Sequence, residues 1–555
     1  MDVFFTSGGK LDLIIDECDG LDIKILLRHK AKSLQIPVVM EASDRGTVDV
    51  ERFDLEPNRS LLHGFIDHLD HTKIGSLTND EKIPYILPML GMETISKRLK
   101  ASMVEIKQTI STWPQLASAV TLGGALCADV CRRILLDQYR GSGRFFVDIE
   151  DFIGTQPRKL EGIYDAVEME YPELTLEEMT RIAGSLTQNK RQQANEVISP
   201  DHLKMLAEAG TAAPSAGNNQ PWKWLAANNR LYLFHDKKQS YSWTDQEDFI
   251  AQIALGAAIE NVKIKAASLG YDVDYNLYPA GEKSALAADI IFLQTNSPNE
   301  NAILEKYIGL RCTNRKKGDN QPINPEILAS LKTSAVSIPG ASLSFLTTPA
   351  DIAAFAEIES AAERIRFMHP QSHSEFFLKE LKWNNSGKEI IHEGLDIKTL
   401  EMTLSDETGI RVASDPGVIA LVNKWQTGKA FEKPARNAII TSSAIGLVTI
   451  PSYSPQNYIK GGMSLENVWL NCTKHGLAVH PVSAPLLLYY RIKYGDKTRV
   501  STNMINEINE LFGKLCTLFP ELREVNGAFL FRLSNADSPT ARSLRKPVDE
   551  VYNVI

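Results

Sequence analysis

The 555-residue sequence predicts an α/β region at its N-terminus and, after a connector, a larger α+β region built of two related halves. Three observations lead there. Residues 11–40 read as strand, helix, strand. Two long helices of small and apolar residues, over 249–269 and around 461–470, each stop at a glycine, Gly270 and Gly476. A chain this long also exceeds what one core can organise, so about two to four domains are required.

Composition narrows the function classes. An apolar content of 43% and a charged content of 23% are those of an ordinary globular protein. A formal net charge of -9 argues against nucleic acid as the main partner. No apolar run approaches the roughly 18 residues of a membrane helix. The opening Met-Asp-Val-Phe-Phe lacks the basic region and cleavage site of a signal peptide. Six cysteines without framework spacing read as reduced thiols, so a cytoplasmic location with no membrane contact is expected. Cys127 and Cys131 stand four apart in an apolar helical pattern without a companion histidine, and read as packed residues.

Leu11-Asp-Leu-Ile-Ile-Asp16 is a short buried strand ending in acids. A helix from Leu21 to Leu34 follows, then a strand from Ile36 to Met40 that runs into Ser43-Asp-Arg-Gly46. This is one unit of a parallel α/β sheet, and acids at the carboxyl end of such a strand lie where these sheets bind ligands. The stretch from Asp12 to Asp54, with Asp16-Glu-Cys-Asp19 after the strand and a glycine turn after the next, resembles the second half of a ThiF/MoeB-type, E1-like adenylating domain. The helix Val120–Leu136 suits the later helix of that fold. The resemblance makes residues 1–150 a partial Rossmann-like domain. Members hold ATP on a Gly-rich turn far upstream of the acid pair. Only about a dozen residues precede that stretch, Gly8-Gly9 lies too near the strand, and Gly141-Ser-Gly143 is in the wrong place. Asp16 and Asp19 therefore read as relics or structural acids, and no adenylation is expected. Residues 1–150 are expected to dock a protein partner or a second copy of the chain.

Residues 151–195 form a charged connector in which Leu174–Ile182 looks helical behind a Thr175 cap. The first half, 196–345, opens with a helix over 201–210 and continues with a strand Leu231–His235 and the helix Phe249–Leu269. The second half, 346–555, carries a helix Ala353–Met368 and a strand Ala438–Ile450. Its glycine-stopped helix has Gly461-Gly462 before Leu465, Val468, Trp469 and Leu470.

Between helix 201–210 and the next strand the chain reads Ala213-Pro-Ser-Ala-Gly-Asn-Asn-Gln-Pro-Trp222. Pro214 ends the helical pattern. Ser215, Ala216 and Gly217 leave main-chain N–H groups open to a flat ligand. Asn218, Asn219 and Gln220 bring amides that both donate and accept, which suits a ring edge of alternating polarity. An ordinary Asn/Gly-rich turn is the plain alternative. The run resembles the flavin loop of the nitroreductase family, Pro-Ser-x-x-Asn-x-Gln-Pro-Trp. That resemblance assigns Pro214, Ser215, Ala216, Asn218 and Gln220 to FMN. The tandem arrangement over about 350 residues resembles the Acg-type double nitroreductases, in which one chain imitates the usual homodimer.

The resemblance also implies a phosphate clamp of the form Arg-x-Ser-x-Arg. Residues 311–315 read Arg-Cys-Thr-Asn-Arg. In an extended segment Arg311, Thr313 and Arg315 share one side, two guanidinium forks and a hydroxyl converging on one spot. An exposed basic turn is the alternative. The first half's own version, Asn189-Lys-Arg191-Gln-Gln193, is poor, and the second half has no second Pro-Ser loop. The complementary losses leave one composite site per chain. The tail Pro539-Thr-Ala-Arg542-Ser-Leu-Arg545-Lys546-Pro547 adds Arg542 and Arg545 as phosphate ligands, which a solvated basic tail explains equally well. His369 and His373, split by Pro370, and His392 read as core or solvated histidines, and no metal is expected. No Gly-x-Ser-x-Gly elbow, His-Glu-x-x-His helix or Walker loop is present. Trp383, Asn384 and Asn385 can line a flavin face, though no spacing requires it.

The resemblance implies an FMN-dependent oxidoreductase that takes reducing equivalents from NAD(P)H and passes them to a nitro, quinone or similar small-molecule acceptor. Such chemistry belongs to the cofactor, so a missing acid–base constellation is no objection. A non-enzymatic flavin-sequestering protein, with residues 370–400 as a lid, is the second reading. An E1-like activating enzyme is the third, weakened by the missing ATP turn.

Overall fold

The computed structural model describes residues 2–67, 70–78, 81–153, 171–187, 198–295, 300–384, 387–497 and 500–555. Two units separate: 1–163 with 402–430, and 164–401 with 431–555.

In the first unit the strand Ile14–Asp16, the helix Leu21–Ser33 and the strand Val38–Glu41 appear in the expected order, the two strands parallel. Val38–Glu41 then pairs antiparallel with Val48–Glu51, which pairs antiparallel with Gly143–Phe145. This is a mixed sheet. The parallel run that defines a Rossmann-like domain goes no further than its first crossover. The buried Asp16 holds Lys24 at 3.1 Å and Arg28 at 2.5 Å, and Arg28 bridges on to Glu51 at 2.5 Å. Burial pushes the Asp16 carboxyl up, yet Arg28, the Cys18 thiol and Lys24 together outweigh it and hold it below the usual range. Asp16 is a structural acid, and Asp19 is exposed. The helix Ala117–Leu135 buries Cys127, Cys131 and Ile134 against Val39, Val48 and Val50, as the packing reading expects.

Residues 402–430, which the sequence reading places in the second half, belong to this first unit. Val412 of the helix Leu404–Ala413 packs with Leu87 and Ile95, and Asp415 holds Lys100 at 3.2 Å. Hydrophobic pairing across so many residues leaves no local trace in sequence.

The second unit contains two antiparallel sheets of matching order. The first runs Trp222–Ala227, Arg230–His235, Leu286–Gln294, Tyr271–Leu277. The second runs Ser342–Leu346, Ala444–Ile450, Asn526–Ser534, Ala478–Pro481. The C-terminal strand Tyr552–Val554 adds to the first sheet in parallel, beside Trp222–Ala227. Each sheet is preceded by a helix with the same start. Ser199 caps Pro200–Thr211 and Asn324 caps Pro325–Val336, each with proline in the first turn.

The two central helices, Phe249–Ser268 and Pro455–Lys474, cross at glycine. A Cβ on Gly256 would lie 2.0 Å from the Ile459 carbonyl oxygen, and one on Gly462 would lie 2.0 Å from that of Ile253. The contact is reciprocal, as in an isologous dimer interface. Sequence agrees at a constant offset: Ile253 with Ile459, Gly256 with Gly462, Glu260-Asn-Val262 with Glu466-Asn-Val468, and Gly270 with Gly476. Both closing glycines adopt positive φ, +83° and +72°.

The helix Leu176–Thr187 in the connector is capped as expected, the Glu178 N–H donating to Thr175 Oγ1 at 3.2 Å. Its Met179, Ile182 and Ala183 pack on the first sheet. The strand expected from Ala438 starts only at Ala444, because Pro434 opens a helical turn, Lys433–Ile439. Among the described residues no helix is long and apolar enough to cross a membrane.

Candidate functional site

The helix Pro200–Thr211 delivers the chain to the loop 214–220, which folds through three left-handed residues: Gly217, Asn218 and Gln220 at φ +56°, +55° and +53°. For the two non-glycines this conformation costs about 1–2 kcal/mol each, so hydrogen bonds must hold the loop. The Gln220 N–H donates to Ser215 Oγ at 3.0 Å. Asn218 Nδ2 donates to the carbonyls of Leu544 (2.9 Å), Gly394 (3.2 Å) and His392 (3.3 Å), while its Oδ1 accepts from Arg545 Nη1 at 2.7 Å. Gln220 Nε2 donates to the His392 carbonyl at 2.7 Å, and its Oε1 accepts from the Lys546 N–H at 2.8 Å. The amides that the sequence reading offers to a ring edge are thus engaged by the protein's own main chain. Both segments they hold are irregular, and their backbone groups need such partners. Asn219 differs, since its buried Oδ1 has no hydrogen-bond partner among the described residues.

Glu380, His392 and Gly394 of the expected lid touch this loop. Glu380, at the end of the helical turn Glu375–Glu380, sits 3.0 Å from where a Gly217 Cβ would be. Leu381–Lys382 pairs with Leu395–Asp396, and Glu393 holds Lys546 at 2.5 Å. Between the helix Pro325–Val336 and the strand Ser342–Leu346 of the second sheet the corresponding link is only 337–341, too short for such a loop, and these elements begin ahead of the expected boundary at 346.

Cations from distant parts of the chain meet at the loop's start. Arg311 Nη2 donates to the Ala212 carbonyl at 2.9 Å, and Arg545 Nε donates to the Ala213 carbonyl at 2.9 Å. Arg311 also lies 3.1 Å from buried Glu466 and 4.9 Å over the Trp469 ring. Burial, with Arg311 beside it, pushes Arg545 down to about 9 against the pull of Glu466. Arg315 goes elsewhere. Its Nη1 donates to the Thr399 carbonyl at 2.9 Å, and burial lowers it to about 10. Its cationic neighbour is Arg532, which burial and Arg315 lower to about 10 and which donates to His480 Nδ1 at 3.0 Å. Thr313 makes a main-chain bridge with Val479, and Asn314 is tied to the Asp537 carbonyl at 2.9 Å. These anchors, with Glu466 drawing Arg311 inward, separate the side chains expected to converge. Pro214 and Ser215 are half-buried, Ala216 and Arg542 are exposed, and 189–193 and Asn385 fall outside the described residues.

No family model matches the chain. It is 31% identical over 542 residues to the uncharacterized protein MT1398 of Mycobacterium tuberculosis, spanning 97% of this chain and 71% of that protein. The chain belongs to the MT1398 family. The putative NAD(P)H nitroreductase Acg of Mycobacterium tuberculosis is 28% identical over 83 residues, 15% of this chain and 25% of Acg. Among solved structures, the FMN-dependent nitroreductase NfnB of Mycobacterium smegmatis, in complex with NADPH, matches over 45% of this chain and 96% of its own, at 11% identity and a TM-score of 0.25. Nitroreductase similarity in sequence therefore covers a small part of this MT1398 relative, and none of these proteins is named as an adenylating enzyme.

In this MT1398-family chain the three histidines are structural. His369 stacks on Trp243 at 3.6 Å, His373 packs against Phe377 at 4.6 Å, and the His392 ring meets the Arg545 carbonyl at 2.8 Å. Trp383 stacks on Phe377, and Asn384 donates to Asp396 at 2.6 Å. Among the described residues no group of His, Cys, Asp and Glu could hold a metal ion. Glu466 escapes the sequence reading. Its signal is the repeated Glu-Asn-Val triplet, which marks one acid in each half.

Proposed function

We propose that this MT1398-family chain is an FMN-dependent oxidoreductase of the nitroreductase type, carrying reducing equivalents from NAD(P)H to a nitro, quinone or similar small-molecule acceptor. The observation behind it is the meeting of Arg311 and Arg545, from distant parts of the chain, on the carbonyls that open the loop 214–220. The residues present fit an anionic cofactor. Among the described residues Arg545 is satisfied by carbonyl and amide oxygens, and Arg311 has one buried carboxylate. Such a surplus of desolvated positive charge is costly unless an anion neutralises it.

In this reading Arg311 and Arg545 hold the phosphate, and the main chain at Ser215 and the exposed Ala216 receives the ring system. FMN, when bound, supplies the hydride and electron transfer chemistry. The segments around Glu380 and His392–Gly394 exclude water from the loop. Residues 1–150 offer a docking surface, supported by exposed Val3 and Phe4.

A covered, sequestered flavin is the second reading, favoured by the hydrogen bonds that tie 392–394 to Asn218 and Gln220. One experiment separates them. The purified protein is expected to be yellow and to release about one FMN per chain on denaturation, since only one half has the loop. Bleaching by NADPH without oxygen identifies the oxidoreductase, whereas a flavin that stays oxidised identifies sequestration. Colourless protein that takes up no FMN, or protein that releases FAD, overturns both.

A further inference from the structure

Glu466 sits on the central helix Pro455–Lys474 with no exposed surface, its Oε1 3.1 Å from Arg311 Nε. Neither carboxylate oxygen makes a well-aligned hydrogen bond among the described residues. Across the helix crossing lies Asn261, equally buried, whose amide neighbours the carboxylate and lowers it. A buried acid held by one guanidinium and one amide feels any charge brought beside it strongly, because the surroundings screen little.

The charges around it determine what completes the site. Arg311 and Arg545 supply two positive charges and Glu466 one negative charge, a net single positive charge. A phosphate dianion arriving there leaves a buried net negative charge. One proton restores neutrality, and Glu466 is the acid in place to take it. Asn261 suits both states, since its Nδ2 can donate to a carboxylate and its Oδ1 can accept from a carboxylic acid.

We propose that Glu466 is the positioning counter-ion of this site, holding Arg311 while the site is empty and taking up a proton when a phosphate ester binds beside Arg311 and Arg545. The proposal rests on the flavin reading above. Burial already holds the Glu466 carboxyl above the usual range, with Arg311, the Asn261 amide and Arg545 pulling it down. The charged groups facing it are those two arginines and Glu260 of the helix Phe249–Ser268, and Glu260 is held by Lys263 at 2.8 Å. The halves differ here. Lys263 occupies in the first half the position that Trp469 holds in the second, so Glu260 is neutralised from its own helix. Of these two acids, it is Glu466 that faces an arginine of the 311–315 run.

The test is FMN binding to the flavin-stripped full chain at pH 7.5, by calorimetry in two buffers of different ionisation enthalpy. The wild-type chain is expected to take up more protons per FMN than Glu466→Gln does, by an amount approaching one. The ionisation of the phosphate is common to both and cancels in that difference. Glu466→Gln, which mimics the protonated state, is expected to bind FMN at least as tightly and with a weaker pH dependence. Glu260→Gln, with an equally buried acid, should keep the wild-type proton uptake. Equal proton uptake in wild type and Glu466→Gln overturns the proposal while leaving the flavin reading intact. If Glu466→Gln does not fold, a wild-type chain that binds FMN with no proton uptake overturns it, and uptake that survives in Glu260→Gln supports it. A wild-type chain that binds no FMN overturns the flavin reading, and this proposal with it.

Discussion

Arg542 and Arg545 stand three positions apart in one basic tail, yet their surroundings are opposite. Arg542 is exposed, whereas Arg545 reaches past the tail to the Ala213 carbonyl and Asn218 Oδ1. If Arg545 holds a phosphate, Arg545→Ala should weaken FMN binding by about 1.5–3 kcal/mol, about ten- to a hundredfold. Arg542→Ala should leave the affinity within error, because an exposed charge is screened by solvent. A fluorescence titration of both variants checks this, and equal losses would return the tail to a purely electrostatic role. The tail shows what sequence can say at this scale. The basic run before a proline was legible, but which arginine turns inward depends on a loop more than three hundred positions away. The same holds for Asn218 and Gln220. Their amides were legible as hydrogen-bonding groups, while the choice between ligand and own main chain was not.

Between elements, Phe249–Ser268 and Pro455–Lys474 cross with their main chains in contact at glycine. Gly462→Ala would place a methyl group 2.0 Å from a main-chain oxygen, so the helices must part. We expect a loss of about 1–3 kcal/mol, the usual range for overpacking. Gly256→Ala should behave alike, since the contact is reciprocal. Gly513→Ala serves as the contrast: it lies inside the exposed face of Thr502–Leu518 with nothing within 4 Å of a new Cβ. There the change should add about 0.5–1 kcal/mol. Denaturant unfolding measures both, and a like sign for Gly462 and Gly513 would refute the crossing. The helices themselves were legible, because glycine stops and small-residue patterns are local. The strands Asn526–Ser534 and Tyr552–Val554 were not, since a short apolar run does not show which distant strand it joins. The pairing of Tyr552–Val554 with Trp222–Ala227 is the case in point, joining the end of the chain to the first half.

At the scale of the whole chain, the first unit is assembled from two separated stretches, 1–163 and 402–430, and the loop with its cations lies wholly in the second. Removing the N-terminal stretch alone therefore leaves a remnant. The helices Leu404–Ala413 and Pro416–Lys424 would keep Val412, Val418, Ile419 and Val422 without the helices Ile83–Leu90 and Lys97–Val104 that bury them. Exposed side chains of this kind promote association. A chain lacking 1–163 is thus expected to aggregate or oligomerise, by light scattering, even though its flavin loop is untouched. Replacing 402–430 in the same truncated chain by a flexible Gly/Ser linker should restore a monodisperse protein that still binds FMN. Two outcomes count against this division. A truncated chain that stays monodisperse with 402–430 in place would show that those helices are not held by the first unit. A linker-repaired chain that is monodisperse but has lost FMN would show that the first unit contributes to the flavin site.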